Sequence, residues 1–248
     1  QLNTRCPVLD FHAVQQNLWQ NAERRDGMCG RFVEYTGIEG LEQHFPIDEV
    51  DCQVTPNYNV APTQEIAAVI RVHDVNKLVV RHWGLVPHWA KDIKTAYKMI
   101  NARAESVAKK PAFHEAFRKR RCLIPANGFY EWTGPAGDKQ PYYISAVDNK
   151  PMAFAGLWEV WYDKENEQNI YQSCTIITRD ASPCVRDLHN RMPAVLHPDV
   201  YATWLNTDYQ DAAGLQKLLA EQTVTEFKTR PVSKQVNRVV VNEASNIA

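Results

Sequence analysis

At 248 residues, 44% hydrophobic and 23% charged, the chain has the composition of a soluble globular protein and enough apolar material for one substantial core, so a single domain is expected. No apolar run approaches the roughly 20 residues that cross a bilayer, and the first residues lack the apolar stretch of a signal peptide, which leads us to expect a cytoplasmic protein. The net charge of −1 excludes whole-domain basicity as a reason to bind nucleic acid, so any such site must be a local basic groove.

Residues 1 to 27 carry Phe11, Val14 and Leu18 at helical spacing between Asp10 and Gly27, which predicts a short amphipathic helix. Position 1 is Gln, and we expect this segment to be a processed product, a fragment, or sequence upstream of a true start at Met28. From residue 64 strands dominate. Glu65 to Val72 and Leu78 to Trp83 flank the turn-like His73-Asp74-Val75-Asn76 and read as a hairpin. Cys122 to Trp132, Tyr142 to Val147, Met152 to Trp161 and Ile170 to Thr178 are β-branched or aromatic and are separated by Gly, Pro, Asp and Asn. Helical patterns fall at Ala112 to Arg120, Pro183 to Leu188, Pro198 to Leu205 and Ala212 to Gln222, the third opened by a proline in the favoured first turn. Strands without regular βαβ alternation place the fold in the α+β class.

The six cysteines, Cys6, Cys29, Cys52, Cys122, Cys174 and Cys184, lack CxxC or Cys/His spacing, so neither a metal site nor a disulfide framework is suggested and they read as reduced thiols, mostly in the core. Cys29 differs from the rest because it follows Met28. If translation began at Met28 and that residue were removed, Cys29 would carry both an α-amine and a thiol, whose reference pKa values near 7.7–8.0 and 8.5 leave each partly reactive at neutral pH. Such a pair suits an aldehyde: the amine forms an imine, and the thiolate closes on the imine carbon to give a thiazolidine. An internal cysteine, its nitrogen tied up as an amide, cannot do this.

Asn101 opens Asn101-Ala102-Arg103-Ala104-Glu105, where its amide could orient a substrate oxygen or cap a helix. Glu131, in Asn127-Gly128-Phe129-Tyr130-Glu131-Trp132, is either buried beside aromatics, with a raised pKa suited to proton transfer, or exposed on an edge strand. His189 has the side chain best poised for proton transfer near neutrality, and Arg191, two residues on, offers a rigid fork to phosphate. Trp83 to Trp89 places aromatic rings in a Gly/Pro loop, where they could stack on an unpaired base or pack a core.

Taken in order, Met28-Cys29-Gly30-Arg31-Phe32, Tyr58-Asn59-Val60-Ala61-Pro62, Trp83-Gly84-Leu85-Val86-Pro87, Asn101-Ala102-Arg103-Ala104-Glu105, Gly128-Phe129-Tyr130-Glu131-Trp132 and His189-Asn190-Arg191-Met192-Pro193 make a chain that resembles the SOS response-associated peptidase (SRAP) family. The resemblance divides the chain into an extension (1–27), an SRAP domain (28–240) and a C-terminal tail (241–248). It implies a single α+β domain built on a mixed, barrel-like sheet with peripheral helices, and an active site at one end of a positively charged groove. It further implies that Cys29 crosslinks covalently to abasic sites in single-stranded DNA. Asn101 would hold the thiazolidine or opened sugar, Glu131 would shuttle protons, and His189 would assist opening of the deoxyribose and later reversal. Arg31, Arg103 and Arg191 would contact phosphates, while Trp83 and Pro62 would shape the bend of the strand. No metal or cofactor is implied, and a monomer is expected because one groove must admit a flexible strand.

The departure from that pattern is at the front, since 28 residues precede Cys29, Met28 among them. Two routes free its amine: removal of Met28 as an initiator, or self-cleavage ahead of Cys29, which the family's peptidase label allows. A cysteine peptidase with His189 as base is the rival enzyme, although the Cys-rich surroundings typical of papain-like enzymes are absent. A non-covalent DNA-damage sensor is the rival should the extension be retained.

Overall fold

The computed structural model describes residues 29–164 and 169–248. In chain order the elements are β1 (Phe32–Glu34), a helix (Ile38–His44), β2 (Glu49–Val50), β3 (Asn57–Val60), β4 (Glu65–Val72), β5 (Val75–Trp83), a 3-10 helix (Ile93–Lys98), β6 (Asn101–Arg103), a helix (His114–Lys119), β7 (Arg121–Ala126) and β8 (Gly128–Thr133). They continue with β9 (Gln140–Ala146), β10 (Met152–Tyr162), β11 (Ile170–Asp180), a helix (Pro183–Arg186), β12 (Arg191–Pro193), β13 (Val195–Leu196), Pro198–Val200 running into the helix Tyr201–Leu205, the helix Ala212–Glu221, β14 (Phe227–Pro231) and two C-terminal 3-10 turns. The helix expected around Phe11, Val14 and Leu18 lies outside the described residues.

The fold is α+β, built on a mixed barrel. β4 pairs antiparallel with β5 and β7, β7 with β10, and β10 with β11; β11 then closes the ring by pairing in parallel with β5 through Ser173↔His82 and Cys174↔Trp83. A separate sheet in the order β14-β9-β8-β1-β3 lies beside it. Closure leaves the ring strands no free edge. The hairpin of β4 and β5 turns on two residues, His73 and Asp74, both at positive φ (47° and 66°). That is a type I′ geometry, which matches strand twist, and Asp and His tolerate it better than most residues.

Alternate residues of the ring strands serve two cores. Ile66, Ala68 and Ile70 join Cys122, Ile124, Phe154, Cys174 and Ile176, together with Phe32, Val60, Phe129 and Ile144 of the second sheet. Ala67 and Val69 face the other way, with Leu41, Phe117, Trp204 and Leu215 from the helices and Phe45 just beyond the first of them. Because both faces of β4 are covered, Glu65–Val72 reads as a nearly continuous apolar run rather than an alternation. Edge-to-face contacts of Phe32 with Trp83 and Phe154, at 5.3 and 5.7 Å between ring centroids, lock the sheet to the barrel.

Cys122 to Trp132 is two strands in different sheets, and the chain crosses between them at Asn127. The Asn127 side chain replaces the missing ladder partners, accepting from the backbone N–H of Tyr35 (2.8 Å) and Thr36 (3.2 Å) and donating to the Thr36 hydroxyl (2.7 Å). Residues 241–248, set apart in sequence as a tail, pack on this sheet: the Asn242 amide oxygen accepts from the Tyr58 N–H at 2.7 Å, and Asn246 is fully buried.

Gly128 follows at the crossing, where a Cβ would lie 2.3 Å from the Tyr143 ring and 2.6 Å from the Ile144 carbonyl. Gly128→Ala is therefore expected to cost about 3 kcal/mol, the upper end of what overpacking does. Thermal unfolding of the two proteins checks this, and an unchanged midpoint would mean that the Tyr143 ring moves aside freely.

Candidate active site

The site forms where an end of the second sheet meets the end of β11. Cys29 precedes β1, which is held between β3 and β8. The intervening Arg31 is fixed at both its backbone and its side chain: its carbonyl accepts from the Tyr130 N–H at 3.0 Å, and its guanidinium donates to the Asn59 amide oxygen (2.8 Å) and the Val236 carbonyl (2.9 Å). On the opposite side, β11 carries β6 along one edge and β12 along the other, with Ile176 level with Asn101 and Asp180 level with Arg191. Four of the sequence-derived residues converge here.

Asn101 does not cap a helix; its Nδ2 donates to the Cys29 carbonyl at 2.9 Å. The Cys29 thiol is 3% exposed and donates to the Arg191 carbonyl at 3.4 Å. Glu131 is not on an edge, because β8 has β1 on one side and β9 on the other, and the residue is 3% exposed. His189 sits just beyond the helix Pro183–Arg186, with Nδ1 within 2.9 Å of the Arg191 carbonyl, 3.0 Å of the Arg191 N–H and 4.0 Å of a Glu131 oxygen. A ligand atom from each of Cys29, Glu131 and His189 lies within 4.8 Å of the others.

Burial dominates the electrostatics. It pushes the Glu131 carboxyl up to about 7, against the lowering influences of His189, the Cys29 thiol and Lys139. Burial also pushes the Cys29 thiol well above its ordinary range, and the neighbouring Glu131 charge adds to that, with Arg191 only partly opposing it. One Glu131 oxygen and the Asn101 amide oxygen are buried with no hydrogen-bond partner among the described residues. A carboxyl that titrates near neutrality can both give and take a proton there. The arrangement thus offers a protected nucleophile, a proton carrier and oriented polar groups.

The arginines are placed differently from one another. Arg191 makes ion pairs with Glu105 (3.0 Å) and Asp180 (2.7 Å) and donates to the Thr178 carbonyl (2.7 Å), so it ties β12 to β11 and to the turn after β6. Arg31 joins β1 to β3 and the C-terminal segment. Arg103 is exposed on β6. Trp83 is 1% exposed and packs the core, its indole N–H on the Ile100 carbonyl at 2.8 Å. In the loop that follows, the open ring is Trp89, 52% exposed. Pro62 is half-buried beside Thr63, whose φ is +70°. Reasoning from sequence missed Glu105 and Lys139. Glu105 closes the motif that Asn101 opens, but no sequence signal indicated its arginine partner; Lys139 enters from the turn between β8 and β9, an ordinary polar turn by composition.

Comparison with known proteins bears on this geometry. The family model described as "SOS response associated peptidase (SRAP)" matches residues 28–239. Abasic site processing protein YoaM of Bacillus subtilis (strain 168) is 40% identical over 220 residues, covering 88% of this chain and 96% of that protein. Abasic site processing protein YedK of Escherichia coli (strain K12) is 27% identical over 224 residues, covering 86% and 95%. A crystal structure of a Bacteroides thetaiotaomicron protein, 24% identical, superimposes with a TM-score of 0.74 over 88% of this chain and 98% of its own, and so shares the fold. The chain belongs to the SOS response associated peptidase (SRAP) family.

Proposed function

We propose that this protein processes abasic sites in single-stranded DNA by bonding covalently to the open-chain aldehyde through Cys29. The observation that carries the reading is the convergence of a buried thiol, a carboxyl titrating near 7, an amide and an imidazole at one end of β11. Relatives named abasic site processing protein support the choice of substrate. A single strand suits the site because an opened deoxyribose must reach a buried thiol, which a stacked duplex resists. We read the active species as a monomer in a reducing, cytoplasmic setting.

The reading requires Cys29 to be the mature terminus, and we favour removal of Met28 as an initiator over self-cleavage. The α-amine then adds to the aldehyde carbon, and protonated Glu131 delivers the proton with which the carbinolamine hydroxyl departs as water. The carboxylate left behind takes the thiol proton as sulfur adds to the imine carbon, closing the thiazolidine. Burial keeps the thiol protonated until that step, so a base beside it is needed. Asn101 holds the Cys29 carbonyl and so aligns both nucleophiles. We assign His189 to opening of the sugar ring and to reversal. Arg103 meets backbone phosphate; Arg31 and Arg191 contribute chiefly by holding the strands that carry the site, Trp83 by bonding to the Ile100 carbonyl next to Asn101, and Pro62 by shaping where the strand bends.

Protein trimmed to begin at Cys29 should form an SDS- and heat-stable adduct with a single strand carrying an abasic site, while Cys29→Ala forms none. Cys29→Ser, which retains the amine, should give only an imine that borohydride traps. A stable adduct with Cys29→Ala would remove Cys29 from the mechanism.

The Glu131 carboxyl is the acid form below about pH 7 and loses its proton above it. The single-turnover adduct rate should therefore carry a descending limb near pH 7 in the trimmed protein. Glu131→Gln should lose that limb and fall by roughly 10²–10⁴ at pH 6, with DNA affinity hardly changed. An unaltered pH profile in the variant would assign the proton transfer elsewhere.

Binding to undamaged single strands should weaken steeply with salt despite the near-zero net charge, since counterion release follows local phosphate contacts. Filter binding across a salt series should show a shallower slope for Arg103→Ala than for wild type. Equal slopes would take Arg103 out of the DNA contact.

A further inference from the structure

Cys29, Glu131 and His189 come from three separate segments, so no spacing in the sequence marks them as a set, yet their sulfur, oxygen and nitrogen atoms lie within 4.8 Å of one another. Ligands around a tetrahedral ion with bonds of about 2.0–2.3 Å stand roughly 3.5 Å apart, so a closure of about 1 Å by side-chain rotation completes three corners. The donor set discriminates among ions. Thiolate and imidazole favour a borderline cation such as zinc, whereas calcium and magnesium call for more oxygen ligands than this cluster offers. Two further observations point to an occupant: the Glu131 Oε1 and the Asn101 Oδ1 are both buried without a hydrogen-bond partner among the described residues. The His189 ring is also already oriented by the Arg191 main chain, at 2.9 and 3.0 Å from Nδ1.

We propose that the cluster of Cys29, Glu131 and His189 is a binding site for a divalent cation of the zinc class, and that occupancy reversibly blocks the nucleophile. Binding releases the thiol proton, and the Glu131 proton where the carboxyl holds one, to solvent in exchange for bonds to the metal; a thiolate, a carboxylate and a divalent ion together carry no net charge, which is what a buried site requires. The sulfur lone pair that would close the thiazolidine is then committed to the metal. Water completes the coordination, or the α-amine does so when Cys29 is terminal. The binding half of the proposal stands on the three side chains alone, and the blocking half rests on the crosslinking function proposed above.

The test titrates the 248-residue chain and the protein trimmed to Cys29 with cobalt(II), reading the thiolate-to-cobalt charge-transfer absorption, and then displaces the cobalt with zinc. One ion per chain is expected. The absorption should vanish in Cys29→Ser, affinity should fall at least tenfold in Glu131→Gln and in His189→Gln, and Cys184→Ser, which alters an exposed thiol, should bind as wild type does. No absorption at millimolar cobalt, an absorption that survives Cys29→Ser, or wild-type affinity in both Glu131→Gln and His189→Gln would each overturn the site. In the trimmed protein, one equivalent of zinc should stop adduct formation on an abasic single strand, and EDTA should restore it. Adduct formation at an undiminished rate under saturating zinc would overturn the blocking half. A protein that binds zinc at these residues but forms no adduct without it would overturn the crosslinking function and leave the cation site standing.

Discussion

Burying a carboxyl beside a thiol is costly, and the architecture around position 131 exists to hold that pair. Taking a carboxylate out of water costs several kcal/mol unless partners compensate. At Glu131 compensation is incomplete: one oxygen lacks a hydrogen-bond partner among the described residues, and the pKa rises to about 7. Such a group persists only if its surroundings cannot relax. β8 is therefore an internal strand, Tyr130 ahead of Glu131 is fully buried, and the crossing at Asn127 and Gly128 is fixed by side-chain capping on one side and by the Tyr143 ring on the other. Packing stability elsewhere in the two cores offsets this unfavourable group.

The same logic changes how the basic residues read. With the chain at net charge −1, a DNA contact must come from a few local cations, and the eye goes first to every arginine near the site. Arg191 already has two carboxylates and a carbonyl, and its own carbonyl accepts from the Cys29 thiol. Its most direct effect is to fix where sulfur and imidazole lie, since the Arg191 main chain touches both. An arginine that organises a site is as sensitive to substitution as one that binds phosphate, so loss of activity alone does not tell the two apart. Salt dependence does, because only a phosphate contact releases a counterion.

The parts of the fold that local pattern determines were legible in the sequence: the β4–β5 hairpin, the strands near 142, 152 and 170, and four helices, to within a few residues at their ends, although the helix Ile38–His44 was not read from it. Short strands such as Phe32–Glu34, Asn101–Arg103 and Arg191–Pro193 were not, because three residues carry no period and their pairing is set by distant partners. Cys122 to Trp132 misled for a related reason: apolar residues continue across the crossing, and only Asn127-Gly128 hints that the chain changes sheets. The barrel followed from the resemblance to the family and not from periodicity. At the site, the types of Cys29, Asn101, Glu131 and His189 suggested chemistry, but whether Glu131 was buried or at an edge depended on its neighbours β1 and β9, which no single segment reveals.

A nucleophile freed as a chain end, the role proposed above for Cys29, faces a physical problem. The first residue of a chain has no preceding peptide to anchor it and ordinarily frays, while reaction demands that amine and thiol reach the same carbon in sequence. Here the Cys29 carbonyl is held by Asn101 and the thiol by the Arg191 carbonyl, while two residues on the Arg31 carbonyl accepts from the Tyr130 N–H. Two of these bonds hold Cys29 and the third holds Arg31, all through groups other than the Cys29 nitrogen. An amine freed at Cys29 would therefore stay mobile enough to attack while its thiol waits in place, which is the order that imine formation followed by ring closure requires.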